Sequence, residues 1–347
     1  MMYLKYMEKY GYEQLVFIQD EQTNLKGIIA IHNTKLGPAL GGARLWDYKT
    51  EEEAVFDALR LARGMTYKSA AAGLPLGGGK AVLIGDASKV KNEAYFKKFG
   101  EFIEKLNGNY ITAEDMNITT LDMSYINSET KHVTGLEGMS GDPSPITAKG
   151  TYYAIKASLK HMFGDDTVMN HSFAVQGVGA TGSNVIKELI EEGATKIYFS
   201  EVNEEHAKAI KTKYPSLIEV SNEELFKLDV TCLVPCAMGG VLNDKTIPNI
   251  KAKIVCGTAN NVLLDEEKHS QMLNDLNILY APDFIVNAGG IINVYHEIIG
   301  YETNNVLKDV FKIYGRVIEI FELAEDNNIN TQEAAMLYAN NILNKTK

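Results

Sequence analysis

Nowhere does the sequence hold an apolar run approaching the roughly 20 residues that a membrane-spanning helix requires. Its first stretch, MMYLKYMEKYGYEQ, lacks the apolar core and small-residue cleavage pattern of a signal peptide. Cysteine is scarce. Cys232, Cys236 and Cys256 are an odd number in a long chain, which argues against a disulfide framework. Cys232 and Cys236 lie in the apolar run TCLVPCA with no second Cys or His pair to complete a metal site, so buried thiols and no metal are expected. A cytoplasmic location follows from these absences. Positive charge is also short: 34 Lys and Arg against 45 Asp and Glu give a net charge of -11. That balance argues against a nucleic-acid or anionic-membrane partner, because phosphate binding needs clustered Lys and Arg. There is no internal repeat and no low-complexity tract.

What is present is an alternation of short apolar runs with longer segments of helical period, the pattern of α/β folds. At 347 residues the chain is too long for one ordinary core, and two domains are expected. Early strand candidates are LVFI (15–18), GIIAI (27–31), KAVLIG (80–85) and NYIT (109–112). EEEAVFDALRLARG and NEAYFKKFGEFIEKLNG read as amphipathic helices, the second stopping at Asn107-Gly108. Residues 133–146 break the pattern with Gly, Pro and Ser and read as a hinge. A helix from Thr147, a βαβ unit, the strand runs CLVP, KIVCGTA and ILYAPDFIV, and helices near 303–325 and 331–344 complete the chain. The expected fold is α/β in two domains with a cleft between.

The strongest local signal is FAVQ-Gly177-Val178-Gly179-Ala180-Thr181-Gly182. It follows an apolar strand, opens an amphipathic helix, and is followed by a second strand ending at Glu201, 19 positions beyond Gly182. Gly177 permits the tight turn, Gly179 lets backbone amides approach a pyrophosphate, and Gly182 lets helix and strand pack closely. Glu201 can accept hydrogen bonds from ribose hydroxyls and would repel a 2′-phosphate, which favours NAD over NADP.

GMTYKSAAAGLPLGGGKAVLIG carries Lys68 and Lys80 among glycines. A phosphate-binding P-loop fails on spacing, since Leu74 and Ala81 stand where Gly and Ser or Thr are required. Two readings stay open: a solvated surface loop, or partly desolvated neighbouring lysines whose pKa values fall into a catalytic range. Glu114 and Asp115 directly follow a strand, either as an acidic turn or as the carboxylate partner of such a lysine.

Taken together, GPALGGARLW, RGMTYKSAAAGLPLGGGKAV, GNYITAEDM, GDPSPITAKG, FAVQGVGATG, VPCAMGGVLND, GTANN and YAPDFIVNAGGIINV resemble the glutamate/leucine/phenylalanine/valine dehydrogenase family, and most of all its leucine-type members. The resemblance runs from about residue 10 to residue 325. It implies an N-terminal α/β substrate and oligomerisation domain at 1–133, a Rossmann-like NAD-binding domain at 134–325 and a C-terminal helix at 326–347 that returns to the first. It also implies NAD-dependent, reversible oxidative deamination of branched-chain L-amino acids to 2-oxo acids and ammonium. It also implies a homo-oligomer built from dimers, the octamer being one such form. Lys68 would hold the substrate carboxylate, Lys80 would act as general base, and Asp115 would assist proton transfer at the amino group. Gly41 and Asn287 would contact substrate; Thr147 and Asn261, with the fingerprint residues, would contact the cofactor. Leu40, Ala113, Ile291 and Val294 would form an apolar side-chain pocket. In glutamate-specific relatives a lysine stands where this chain has Leu40, and phenylalanine-type enzymes tend to have glycine at Ala113. The alternatives are a phenylalanine- or valine-preferring enzyme of the same family, or a non-catalytic NAD-binding protein on this fold.

Overall fold

The computed structural model describes residues 2–345; residues 1, 346 and 347, at the extremes of the expected first and last segments, lie outside the described residues. The chain forms two compact units. One comprises the chain up to Gly141, Val294–Tyr301 and the segment from Ala339; the other comprises Asp142–Asn293 and Glu302–Tyr338.

The first unit runs α1 (Met2–Tyr10), β1 (Gln14–Asp20), β2 (Leu25–Asn33), β3 (Ala39–Trp46), α2 (Glu51–Ala71), β4 (Gly77–Ile84), α3 (Ala87–Val90), α4 (Glu93–Glu104), β5 (Tyr110–Glu114) and α5 (Thr120–Asn127). Its five strands lie in the order β1-β2-β4-β3-β5. β1, β2 and β4 pair antiparallel, whereas β3 runs parallel to both β4 and β5. Side-chain alternation divides the sheet into two faces. Ala43, Leu45, Ala81 and Leu83 face α4 and α5 in one core, with Phe96, Phe99 and Ile126. Ala30 and Val82 face α2 in the other, against Ala54, Ala58 and Leu59. Buried His32 binds Thr66 Oγ1 at 2.8 Å and the Tyr10 carbonyl at 3.0 Å, tying β2 to α2 and α1.

Two elements depart from the sequence pattern. Ala39–Trp46 is a strand although no strand was expected there. Its paired glycines dilute the apolar signal, and they are present because neighbouring backbone leaves no room for a side chain. An ideal Cβ on Gly41 would lie 1.7 Å from the Gly79 carbonyl oxygen. The helix expected to end near residue 64 continues through Gly64 to Ala71. Gly64 costs the helix about 0.5–1 kcal/mol relative to Ala, too little to stop a helix started by Thr50, whose side chain caps the Glu53 amide.

The second unit contains α6 (Ser144–Phe163), β6 (Ser172–Gln176), α7 (Ala180–Glu191), β7 (Lys196–Ser200), α8 (Glu204–Lys213), β8 (Ile218–Glu219), α9 (Asn222–Leu225), β9 (Cys232–Pro235), β10 (Ile254–Val255), α10 (Glu266–Asp275), β11 (Leu279–Tyr280) and α11 (Asp283–Val286). Then follow α12 (Gly289–Ile299), whose last turns belong to the first unit, α13 (Thr303–Asn327) and α14 (Thr331–Lys345). Six parallel strands in the order β11-β10-β9-β6-β7-β8 give a doubly wound, Rossmann-type sheet. The expected strand ILYAPDFIV shrinks to Leu279–Tyr280, because Pro282 ends it and α11 follows. Among the described residues no helix is long and apolar enough to cross a membrane. Cys232 and Cys256 are buried, Cys236 is half-buried, and all three are free thiols.

Candidate active site

The centre of the first unit's chemistry is a charged group on the α2 face of the sheet. Lys80 sits in mid-strand, opposite Ala30 of β2, rather than at the strand's start. Its side chain is buried, and Nζ lies 2.5 Å from Asp115 Oδ2. Asp115 comes directly after β5, one residue beyond Glu114, which is exposed. The same Oδ2 accepts a hydrogen bond from Arg44 Nε at 3.2 Å. Arg44 Nη1 reaches Asp57 Oδ2 at 3.0 Å, and that carboxylate also takes the Tyr48 hydroxyl at 2.6 Å and Arg60 Nη2 at 3.0 Å.

Burial pulls the Lys80 ammonium below the ordinary lysine range, with Asp115 acting in the opposite sense and Arg44 reinforcing the fall. Burial pushes the Asp115 carboxyl upward, but Lys80 and Arg44 together outweigh it and hold the group below its usual range. The result is a desolvated lysine held below its usual range beside a carboxylate held below its own. The sequence reading missed Arg44 and Asp57. The available signal was alternation: β3 residues 40, 42 and 44 share a face, and Asp57 closes the second turn of the facing helix.

Glycines fix this geometry. An ideal Cβ on Gly42 would meet the Glu114 carbonyl oxygen at 2.5 Å and Asp115 Cβ at 2.9 Å, so Asp115 sits against bare backbone. One on Gly78 would lie 2.1 Å from the Thr66 nitrogen, which is how closely α2 lies on β4. Gly41 shows its importance as packing against Gly79, and its carbonyl accepts the Tyr110 hydroxyl at 2.6 Å. Lys68 stands in the last turn of α2, half-buried. Leu40 is buried in β3 and Ala113 half-buried in β5.

In the second unit, Gly177 closes β6 with φ +84°, a left-handed turn that glycine adopts without strain. A Cβ on Gly182 would lie 2.0 Å from the Gly177 carbonyl oxygen, whereas one on Gly179 meets nothing within 4 Å. The N-terminus of α7 (Ala180, Thr181, Gly182) has no side-chain cap at Gly179, which leaves its first amides suited to an anion. Glu201 stands at the end of β7. Its Oε2 accepts the Val178 amide at 2.7 Å, and its Oε1 accepts the amides of Val202 and Asn203 at 2.9 Å. Burial raises this carboxyl, but the three amides prevail and keep it ionised.

Asn287 is buried, and its Nδ2 donates to Thr258 O at 3.2 Å and Asn260 Oδ1 at 2.8 Å. Its Oδ1 has no hydrogen-bond partner among the described residues, an acceptor that a ligand N–H would satisfy. Asn261 is exposed with φ +50°. Thr147, on the first turn of α6, touches the Gly289-Gly290 start of α12, whose missing side chains let the helices meet. Ile291 is buried and Val294 half-buried, three residues apart on α12 and so on one side of it.

Residues 13–132 match the model described as Glu/Leu/Phe/Val dehydrogenase, dimerisation domain, and residues 198–343 the Glutamate/Leucine/Phenylalanine/Valine dehydrogenase model. Leucine dehydrogenase of Thermoactinomyces intermedius is 49% identical over 95% of this chain and 90% of its own length. Phenylalanine dehydrogenase of Lysinibacillus sphaericus is 45% identical over 94% of this chain and 87% of its own. The crystal structure of L-tryptophan dehydrogenase from Nostoc punctiforme superposes with a TM-score of 0.90 at 40% identity, covering 99% of each chain.

Proposed function

The chain belongs to the Glu/Leu/Phe/Val dehydrogenase family of amino-acid dehydrogenases, and from that premise we propose that it deaminates branched-chain L-amino acids, leucine foremost, with NAD. The observation that carries the reading is the buried Lys80 ammonium 2.5 Å from Asp115, a lysine and a carboxylate placed to exchange a proton. The reaction is L-amino acid, NAD⁺ and water giving 2-oxo acid, ammonium, NADH and a proton.

Lys68 anchors the substrate carboxylate. The nicotinamide ring, when bound, supplies the hydride acceptor for the substrate Cα. The fit of a dinucleotide is supported by the open space at Gly179 and the uncapped start of α7, and the unpartnered Asn287 Oδ1 is left for the substrate. Gly177, Val178, Gly179, Ala180, Thr181, Gly182 and Glu201 would hold its phosphates and ribose, with Thr147 and Asn261 towards the nicotinamide. Neutral Lys80 takes a proton from the water that attacks the imino carbon, and that proton then passes from the Lys80 ammonium by way of Asp115 to the departing amino group. A homo-oligomer is expected, supported by the match of residues 13–132 to a dimerisation domain.

Leucine is favoured because Leu40 is buried and apolar, and Ala113 and Val294 of the same unit add no charge. A distal carboxylate here would be buried unpaired, at a cost of several kcal/mol. An aromatic preference is the second reading, favoured by the relatives named for phenylalanine and tryptophan. Initial rates of NADH formation across the twenty amino acids decide between them: leucine, valine and isoleucine should lead, and a lead by phenylalanine or tryptophan would replace leucine. Leu40→Lys should cut kcat/KM for leucine by at least about tenfold, the scale of one misfitted pocket group, and admit glutamate. Unchanged leucine kinetics would remove Leu40 from the pocket.

Cofactor choice rests on Glu201. A 2′-phosphate would approach an ionised carboxylate that already gathers three backbone amides. NAD should therefore exceed NADP in kcat/KM by at least about a hundredfold, on the scale of 3 kcal/mol for an unpaired charge. Similar values for the two cofactors would reject this role for Glu201.

A further inference from the structure

We propose that Arg44 is a positioning residue for the reaction: its guanidinium, braced by Asp57, shares Asp115 Oδ2 with Lys80 and so sets how tightly Asp115 grips the Lys80 ammonium. The inference rests on the reading of Lys80 as general base given above. A carboxylate facing one buried lysine at 2.5 Å would hold the proton on that lysine and oppose its use as a base. Arg44 changes the balance in two ways. Its Nε–H occupies the same oxygen at 3.2 Å, diluting the pair. Its permanent charge also disfavours a second cation nearby.

Left alone, Arg44 would turn wholly to Asp115. Asp57 Oδ2 prevents this by engaging Nη1 at 3.0 Å, so the planar fork spans two carboxylates, a geometry that lysine cannot reproduce. Asp57 is fixed in turn by Tyr48 at 2.6 Å and Arg60 at 3.0 Å. The charged and titratable groups facing Arg44 are thus Asp115 just after β5, Lys80 from β4, Asp57 from α2, and Tyr48 from the segment after β3. Arg60 stands behind Asp57, and Tyr110 lies beyond Asp115. The arrangement joins β3 and α2 to the reacting pair without placing Arg44 on the substrate.

The test is the pH profile of leucine-dependent NADH formation by the full-length enzyme. Arg44→Met removes a positive charge and a competitor for Asp115, so its basic limb should move to higher pH by on the order of one pH unit, with kcat at neutral pH falling about tenfold. Asp57→Asn removes a negative charge and releases Arg44 toward Asp115, so its limb should move to lower pH. Arg44→Lys should restore part of the shift but not the wild-type rate. NADH binding, followed by its fluorescence, should be unchanged in all three. Limbs that stay in place, or that move together in one direction, would reduce Arg44 to a structural ion pair and overturn the proposal. Should Arg44→Met not fold, the sign of the Asp57→Asn shift decides alone. Wild-type enzyme that oxidises no amino acid would instead fail the general-base reading and this inference with it, a result distinct from active enzyme with unmoved limbs.

Discussion

Lys80→Ala is expected to lower kcat for amino-acid oxidation by about a thousandfold, within the range that a positioned general base contributes. The reason is local. An ordinary lysine, near 10.5, carries its proton throughout the neutral range and is no base there. Burial in β4 penalises the charged form and lowers that value, while Asp115 at 2.5 Å limits the fall. The sign follows directly. In the proposed mechanism water activation needs neutral Lys80, so oxidative deamination should rise with pH as the lysine loses its proton and be fastest in alkaline solution. Lys80→Ala should abolish that basic limb. The fold should survive, since Asp115 keeps Arg44 at 3.2 Å and no carboxylate is left alone. NADH binding should persist, because the fingerprint residues belong to the other unit. Rates and a pH profile measured on the purified variant check this. Retention of more than about a tenth of kcat, a loss far below the general-base range, would transfer the base to Asp115.

Gly41→Ala should be the most disruptive single methyl addition in the first unit. Its Cβ would lie 1.7 Å from the Gly79 carbonyl oxygen, and the clash is with backbone of the paired strand rather than with a side chain that could swing away. Overpacking of well-packed cores costs about 1–3 kcal/mol and occasionally more, and a rigid backbone contact belongs at the upper end. Trp46, the sequence's single tryptophan, ends the same strand and reports its unfolding by fluorescence. Gly64→Ala is the control: a Cβ there meets nothing within 4 Å, and alanine should add about 0.5–1 kcal/mol to the helix. Equal unfolding midpoints for the two variants would show that β3 and β4 can separate to admit a side chain. A fully stable Gly41→Ala enzyme with weakened substrate binding would instead return Gly41 to the role that family resemblance implied.

These glycines mark where sequence reading ran short. Hydrophobic periodicity made the helices at 51–64 and 93–104 visible, and a strand–turn–helix–strand pattern made the dinucleotide fingerprint visible. Each is a local property, carried within about 30 residues. Lys80 and Asp115 were legible as candidates because one lies in an apolar run and the other follows a strand. The strand at Ala39–Trp46 was not, since Gly41 and Gly42 carry no apolar signal of their own. Their smallness answers to residues 38 and 72 positions away, Gly79 and Glu114.

Composition, charge and spacing were therefore enough to settle an α/β chain with two domains, a nucleotide-type turn at Gly177–Gly182 and two lysines in search of a role. Those features depend on neighbours along the chain, and short-range sterics and burial dictate them. Pairing Lys80 with Asp115, and bringing Arg44 and Asp57 to the same carboxylates, needed the parallel register of β3, β4 and β5 and the docking of α2 on their face. Electrostatic coupling falls off over a few ångströms and takes no account of sequence separation. Only the folded sheet, by closing those distances, decides which charges act on one another.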